Sequence, residues 1–178
     1  MRLSKVGYYA DFVAYPAIIL ALTAAELRPA ETRAQWQWPI ACIVGIAGWT
    51  LAEYLIHRFV FHRIPLAARM HDMHHSSPGA LIGAPLWSSL GAFGFGVFIP
   101  LWWQAGFDAA SGLTTGLMLG YLWYILVHTA VHRYRLDRGS FLYQTKLRHA
   151  HHHHGTQEGN FGVTTGLWDR LFGTAIKT

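Results

Sequence analysis

A bilayer core takes about 20 predominantly apolar residues per crossing helix, and three stretches of this chain approach or exceed that length without one Asp, Glu, Lys or Arg. They run from Ala34 to Ala52, from Ala84 to Phe107 and from Ala109 to Val131. In hydrocarbon every backbone N–H and C=O must be bonded within the protein, so continuous runs of this kind select helices. An earlier run from Phe12 to Ala25 is shorter, and Asp11 is expected to block its extension into Tyr8 and Tyr9. Arg2 and Lys5 before it, with Ala24 and Ala25 at its end, also match a signal peptide. Two tyrosines and an aspartate ahead of the apolar stretch favour a retained helix. The expected fold is a single all-α integral membrane domain, residues 1–178, with about four transmembrane helices.

The Lys and Arg distribution orients such a bundle. Arg2, Lys5, Arg58, Arg63, Arg69 and the seven basic residues from Arg133 to Lys177 share one side of a four-span chain, against Arg28 and Arg33 on the other. Both termini and the loop between the second and third spans are therefore expected in the cytosol, at what is expected to be a bacterial inner membrane. The net charge of +5 is assigned to a lipid surface. No basic stripe interleaves with solvent-facing aromatics, so no nucleic-acid partner is expected. Cys42 stands alone in an apolar run, which leaves nitrogen and oxygen as the only available metal ligands. Trp36, Trp38, Trp87, Trp102, Trp103 and Trp123 fall near span ends or within spans, where interfacial anchoring is the default role of the terminal ones. Gly91, Gly94 and Gly96 permit either close helix approach or room for an acyl chain.

All twelve histidines fall into four clusters at the edges of the apolar segments. Imidazole is the commonest protein ligand for transition metals. Histidines acting as ordinary polar caps would scatter over both faces of the membrane, whereas these gather on the cytosolic one. Spacing gives the geometry. His128 and His132 lie about 40° apart on a helix, so both rings leave one face. His71, His74 and His75 bracket one face, and all three are expected to converge. His149, His152 and His153 repeat that pattern, while His151 and His154 point elsewhere. His57 and His62 are five apart and share a face only if the helix ends between them or carries a π-bulge. Glu53, one turn before His57, is a candidate to orient its ring, or else a satisfied polar residue at the membrane boundary.

Pro65 suits a helix start, Ser76-Ser77-Pro78 a stop, Gly139-Ser140 a second start and Gly155 its close. The triple clusters would then ride on short cytosolic helices, forming a histidine-rich di-metal cap. One zinc takes about four ligands, so ten imidazoles imply two ions. Two all-imidazole ions beside a lipid pocket suit oxidation of an unactivated C–H bond by iron and O2. Zinc on isolation is compatible with this reading, because imidazole sites bind it more tightly than ferrous iron.

The four boxes read His57-RFVF-His62, His71-DM-His74-His75, His128-TAV-His132 and His149-AH-His152-His153. In that order they resemble the fatty acid hydroxylase and sterol desaturase superfamily of membrane di-iron oxygenases. The likeness spans about Glu53 to Thr174. The stretches RGSFLYQTKLRHAHHHH (Arg138 to His154) and NFGVTTGLWDRLFGT (Asn160 to Thr174) are similar to the fatty acid 2-hydroxylase branch. That resemblance implies two iron ions, O2, a membrane lipid substrate and hydroxylation of an acyl chain. It also implies that Tyr124, Asn160 and Asp169 lie near the site. Two features depart from that branch. No cytochrome b5-like domain accompanies the boxes, so electrons are expected from a separate ferredoxin or cytochrome, and Ile125 stands where an acidic residue is expected. Competing readings are a carotenoid, sterol or other isoprenoid hydroxylase or desaturase with the same centre, and a non-catalytic metal-binding membrane protein.

Overall fold

The computed structural model describes residues 2–27 and 36–176 and is all-helical. Arg28, Arg33, the start of the second predicted span at Ala34 and Lys177 lie outside the described residues. Helices α1 (Lys5–Tyr9) and α2 (Asp11–Glu26) meet at Ala10, itself in helical conformation. Helix α3 (Gln37–Leu55) passes into a π-helical turn, π1 (Ile56–Phe61), and α4 (Pro65–Ser76) follows. Helix α5 (Leu86–Phe93), π2 (Gly94–Phe98) and α6 (Ile99–Arg133) form one run, and α7 (Phe141–His154) and α8 (Leu167–Leu171) complete the chain.

Among the described residues three helical runs are long and apolar enough to cross a membrane: Lys5–Glu26, Gln37–Phe61 and Leu86–Arg133. The third covers 48 residues; at 1.5 Å per residue it would measure about 70 Å, more than twice a bilayer core. It is not straight. Gly106 has φ 84° and ψ 172°, a backbone region only glycine enters freely. On either side of it, Leu90, Gly94 and Phe98 line the same apolar cavity as Thr114 and Met118. Phe98 and Thr114 are each eight residues from Gly106, and Gly94 and Met118 each twelve, so the run doubles back there. The predicted third and fourth spans are thus the arms of one hairpin.

Asp11 does not block the first helix, contrary to expectation. The helical run continues through it because the Tyr121 hydroxyl donates to its buried carboxylate at 2.5 Å. Of the two roles open to Gly91, Gly94 and Gly96, close helix approach is not the one seen. A Cβ on Gly91, Gly94 or Gly96 would meet nothing within 4 Å, whereas one on Gly116 would lie 2.0 Å from the Cys42 carbonyl oxygen. Close approach belongs to the Gly112-Gly116-Gly120 series of α6 facing α3, the small-residue seam typical of membrane helices.

The chain divides into two compact units. The first comprises residues 1–49 and 83–122, the second residues 50–82 and 123–178. In the first, Tyr15, Trp49, Phe93 and Tyr121 supply one ring each from α2, α3, α5 and α6, with centroids 4.8–6.0 Å apart. In the second, Val127, Val131 and Val163 form a buried cluster against Tyr124, Leu136 and Leu142. Tyr54 stacks on Phe172 at 5.4 Å. All ten predicted ligand histidines belong to this second unit.

Candidate metal centre

Each box sits on a segment whose local structure sets its geometry. A π-turn bonds residues five apart, and π1 stacks the His57 and His62 rings at 5.2 Å and 28°. Of the two ways the five-residue spacing could bring these rings to one face, the π-turn is the one that forms. Pro65 opens α4 at N1, where its missing N–H is no loss, and α4 carries His71, His74 and His75. His128 and His132 close α6. Ser140 caps α7 by accepting from the Tyr143 N–H, and α7 carries His149, His152 and His153. Gly155 ends α7 with φ −71°, not in the left-handed conformation; a Cβ there would lie 2.4 Å from the His151 carbonyl oxygen.

The ten histidines come together in two groups of five. One holds His57, His62, His71, His75 and His152, and the other His74, His128, His132, His149 and His153. Within each, one nitrogen per ring lies within 4.8 Å of all the others. The expected convergence of each triple on one point is corrected here. His71 and His75 face the first group and His74 the second, while His149 and His153 face the second and His152 the first. Among the described residues His151 and His154 join neither group; both are exposed and line an outer groove of α7 with Leu147 and Ala150.

Protons alone do not satisfy the first group. His57 Nδ1 donates to the Phe161 carbonyl at 2.5 Å, and His152 Nδ1 to the Gly159 carbonyl at 2.8 Å. A neutral imidazole has one N–H, so both Nε2 atoms are bare. The Nε2 contacts then run His57 to His71 at 2.9 Å, His71 to His75 at 2.9 Å and His75 to His152 at 3.1 Å. Only His71 and His75 can bring protons to these three contacts, one each, so one contact always lacks its proton. Protonating further rings is opposed: burial, reinforced by neighbouring imidazoles, pushes His74 and His75 down to about 4, and lowers His71, His149 and His153 as well. Burial also takes His152 down to about 4. In the second group the Nε2 contacts run His128 to His132 at 3.2 Å, His132 to His149 at 2.9 Å and His149 to His153 at 3.1 Å. The buried His74 Nε2 has no hydrogen-bond partner. Bare nitrogens facing one another fit a cation between them, and neutral imidazoles are the form that binds one.

Of the two roles open to Glu53, the structure shows the satisfied polar residue and no hydrogen bond to the His57 ring. Its carboxylate accepts from the Val163 N–H at 2.6 Å, the Thr164 N–H at 2.9 Å and the Thr164 hydroxyl at 2.6 Å. It holds the loop that supplies the carbonyl facing His57. Asp169, fully buried, holds the same loop, accepting from the Phe161 and Gly162 N–H groups at 2.8 Å each and from the Thr174 hydroxyl at 2.8 Å. Asn160 adopts φ 54°, which asparagine tolerates, donates to the Arg148 carbonyl and accepts from the Ile176 N–H. Tyr124 stacks on His128 at 5.5 Å and 10°. Sequence reasoning missed the Gly159 and Phe161 carbonyls and Arg148, which donates to the Gly162 and Val163 carbonyls. Backbone acceptors leave no residue-type signal; only their place just beyond the last box hinted at them.

Comparison with known proteins places the chain in a family. The family profile for fatty acid hydroxylase matches residues 42–174. The chain is 37% identical over 147 residues to a fatty acid 2-hydroxylase of Rattus norvegicus, covering 75% of this chain and 39% of that protein. It is 29% identical over 144 residues to the dihydroceramide fatty acyl 2-hydroxylase FAH2 of Arabidopsis thaliana, covering 73% and 58%. The chain thus spans about two fifths of the length of the mammalian relatives it matches. A solved structure described as full-length scs7p, with only the hydroxylase domain visible, superposes with a TM-score of 0.78 at 24% identity, over 96% of this chain and 67% of that one. The chain belongs to the fatty acid hydroxylase family.

Proposed function

We propose that this chain is a membrane lipid hydroxylase that oxidises a C–H bond of a fatty acyl chain, with carbon 2 the favoured position. The overall change is RH + O2 + 2 e⁻ + 2 H⁺ → ROH + H2O. The observation that carries the reading is the pair of five-histidine groups, in the first of which protons cannot satisfy all the facing nitrogens, in a chain of this family. Carbon 2 rests on what the relatives' names say they act on.

His57, His62, His71, His75 and His152 would hold one ion, and His74, His128, His132, His149 and His153 the other. Two ferrous ions, once bound, would supply the reductive activation of O2 that an unactivated C–H bond requires. The chain's own residues fix the ligands: the Gly159 and Phe161 carbonyls hold two ring tautomers, while Glu53, Asp169 and Asn160 hold that loop. Tyr124, flat against His128, would steady that ring as a ligand. Burial of His57, His74, His149 and His152 would limit bulk water at the reacting position.

The hairpin at Gly106 brings the proposed crossings to four, in one catalytic domain, with the metal centre and both termini on the cytosolic side of a bacterial inner membrane. Electrons come from a separate ferredoxin or cytochrome. The test is expression in a host lacking such an enzyme, growth under 18O2 and mass spectrometry of the lipids. Acyl chains heavier by one 18O atom, absent with His152→Ala, support the reading. Unchanged acyl lipids with oxidised pigments or sterols would move the substrate to the isoprenoids, and unchanged lipids throughout would sink the enzymatic reading.

A further inference from the structure

We infer that the two histidine groups are unequal metal sites, and that the loop of residues 159–164 makes the one containing His57 and His152 the tighter, with Asp169 as its positioning residue. This inference rests on the metal-centre reading above.

In that group two of five rings donate Nδ1–H to protein carbonyls, His57 to Phe161 and His152 to Gly159. Such a bond fixes the tautomer, aims Nε2 and raises its basicity as a ligand. The other group has no such support at two of its rings: His149 and His153 carry buried Nδ1 atoms that no described residue accepts from. No acceptor fixes those two rings from the Nδ1 side.

The anchoring loop is unusually constrained. Its N–H groups from Asn160 to Thr164 are taken in order by the Thr174 carbonyl, by Asp169 twice and by Glu53 twice. Arg148 donates to the Gly162 and Val163 carbonyls, leaving those of Gly159 and Phe161 to the histidines. Asp169 acts through one peptide unit: its Oδ2 accepts from the N–H of Gly162, which shares that unit with the Phe161 carbonyl that accepts from His57. Removing an outer partner of a metal-binding histidine typically lowers affinity about 10- to 100-fold. Acting one peptide further out, Asp169 belongs at the lower end, about tenfold.

The test uses the full chain in detergent, stripped of metal and titrated with cobalt(II), read by its visible absorption and by equilibrium dialysis. The wild type should fill in two steps, with His71→Ala moving the tighter and His132→Ala the weaker. Asp169→Asn should weaken the tighter step about tenfold and leave the other in place. A circular-dichroism melt checks its fold, and Glu53→Gln, which loosens the same loop from its other end, makes the comparison if that variant fails to fold. Equal affinities in the wild type, or both steps moving together in a folded variant, overturn the inference. No cobalt bound to the wild type at all would overturn the metal-centre reading, and this inference with it.

Discussion

Gly45 and Gly48 lie one turn apart on α3, and alanine at either gains the same helix propensity, about 1 kcal/mol. Their surroundings differ. A Cβ on Gly45 would sit 2.4 Å from the Leu113 carbonyl oxygen, 2.8 Å from the Leu117 nitrogen and 2.9 Å from the Gly116 Cα. All three are backbone atoms of α6, so none can swing aside. A Cβ on Gly48 would meet only Leu117 Cδ2, at 4.0 Å. Non-bonded heavy atoms rest about 3.5 Å apart, so Gly45→Ala must part the two helices by about 1 Å. Overpacking of that order costs about 1–3 kcal/mol, and the parted seam also forfeits a quarter to a half of its dispersion energy at each widened contact. After the propensity gain, Gly45→Ala should lose up to about 2 kcal/mol, while Gly48→Ala should hold level or gain up to about 1 kcal/mol. Unfolding of the purified variants in detergent, followed by circular dichroism, compares them directly. Equal stabilities would refute the assignment of this seam as a backbone-to-backbone contact.

His151→Ala should leave metal content and lipid oxidation near wild type, whereas His152→Ala should lower both; equal losses, measured by metal analysis and lipid mass spectrometry, would contradict the placement of His151 outside the groups. Gly106→Ala forces a side chain into φ 84° and ψ 172°, a strain of about 1–3 kcal/mol, so its melting midpoint should drop while Gly91→Ala, in open space, does not. Stripping metal should lower the melting midpoint of the wild type, since an ion present at 100 times its Kd adds about 2.7 kcal/mol; a midpoint indifferent to chelator would count against ions bound to the native state.

Much of the architecture was legible because it follows from period and length. The uncharged runs gave the helices, the five-residue spacing of His57 and His62 required either a helix end or a π-bulge, of which the π-turn forms, and Pro65 and Ser140 marked helix starts. What escaped was partner choice. Asp11 looked like a stop because nothing in sequence pairs it with Tyr121, 110 residues away. Gly91, Gly94 and Gly96 look as small as Gly112, Gly116 and Gly120, and only the facing helix distinguishes an open surface from a seam. Glu53 is one turn from His57, but its carboxylate reaches a loop 110 residues on, and a backbone carbonyl takes the ring-orienting role open to it.

The division of the triple boxes follows from an angle that the spacing already contained. At 100° per residue, His74 lies 60° to one side of His71 and His75 lies 40° to the other, so the doublet spans 100° of helix surface. An arc that wide cannot serve one ion, but it can face two that lie side by side. The same holds for His152 and His153 on α7, so each helix gives a pair to one group and a single ring to the other. Double variants test this directly. His75 and His152 share a group, so His75→Ala with His152→Ala should leave one cobalt-binding step at its wild-type affinity. His74 and His152 belong to different groups, so His74→Ala with His152→Ala should leave neither step unchanged. Neighbours in sequence would thus behave as strangers, and residues 77 apart as partners; the reverse result would restore each box to a single ion.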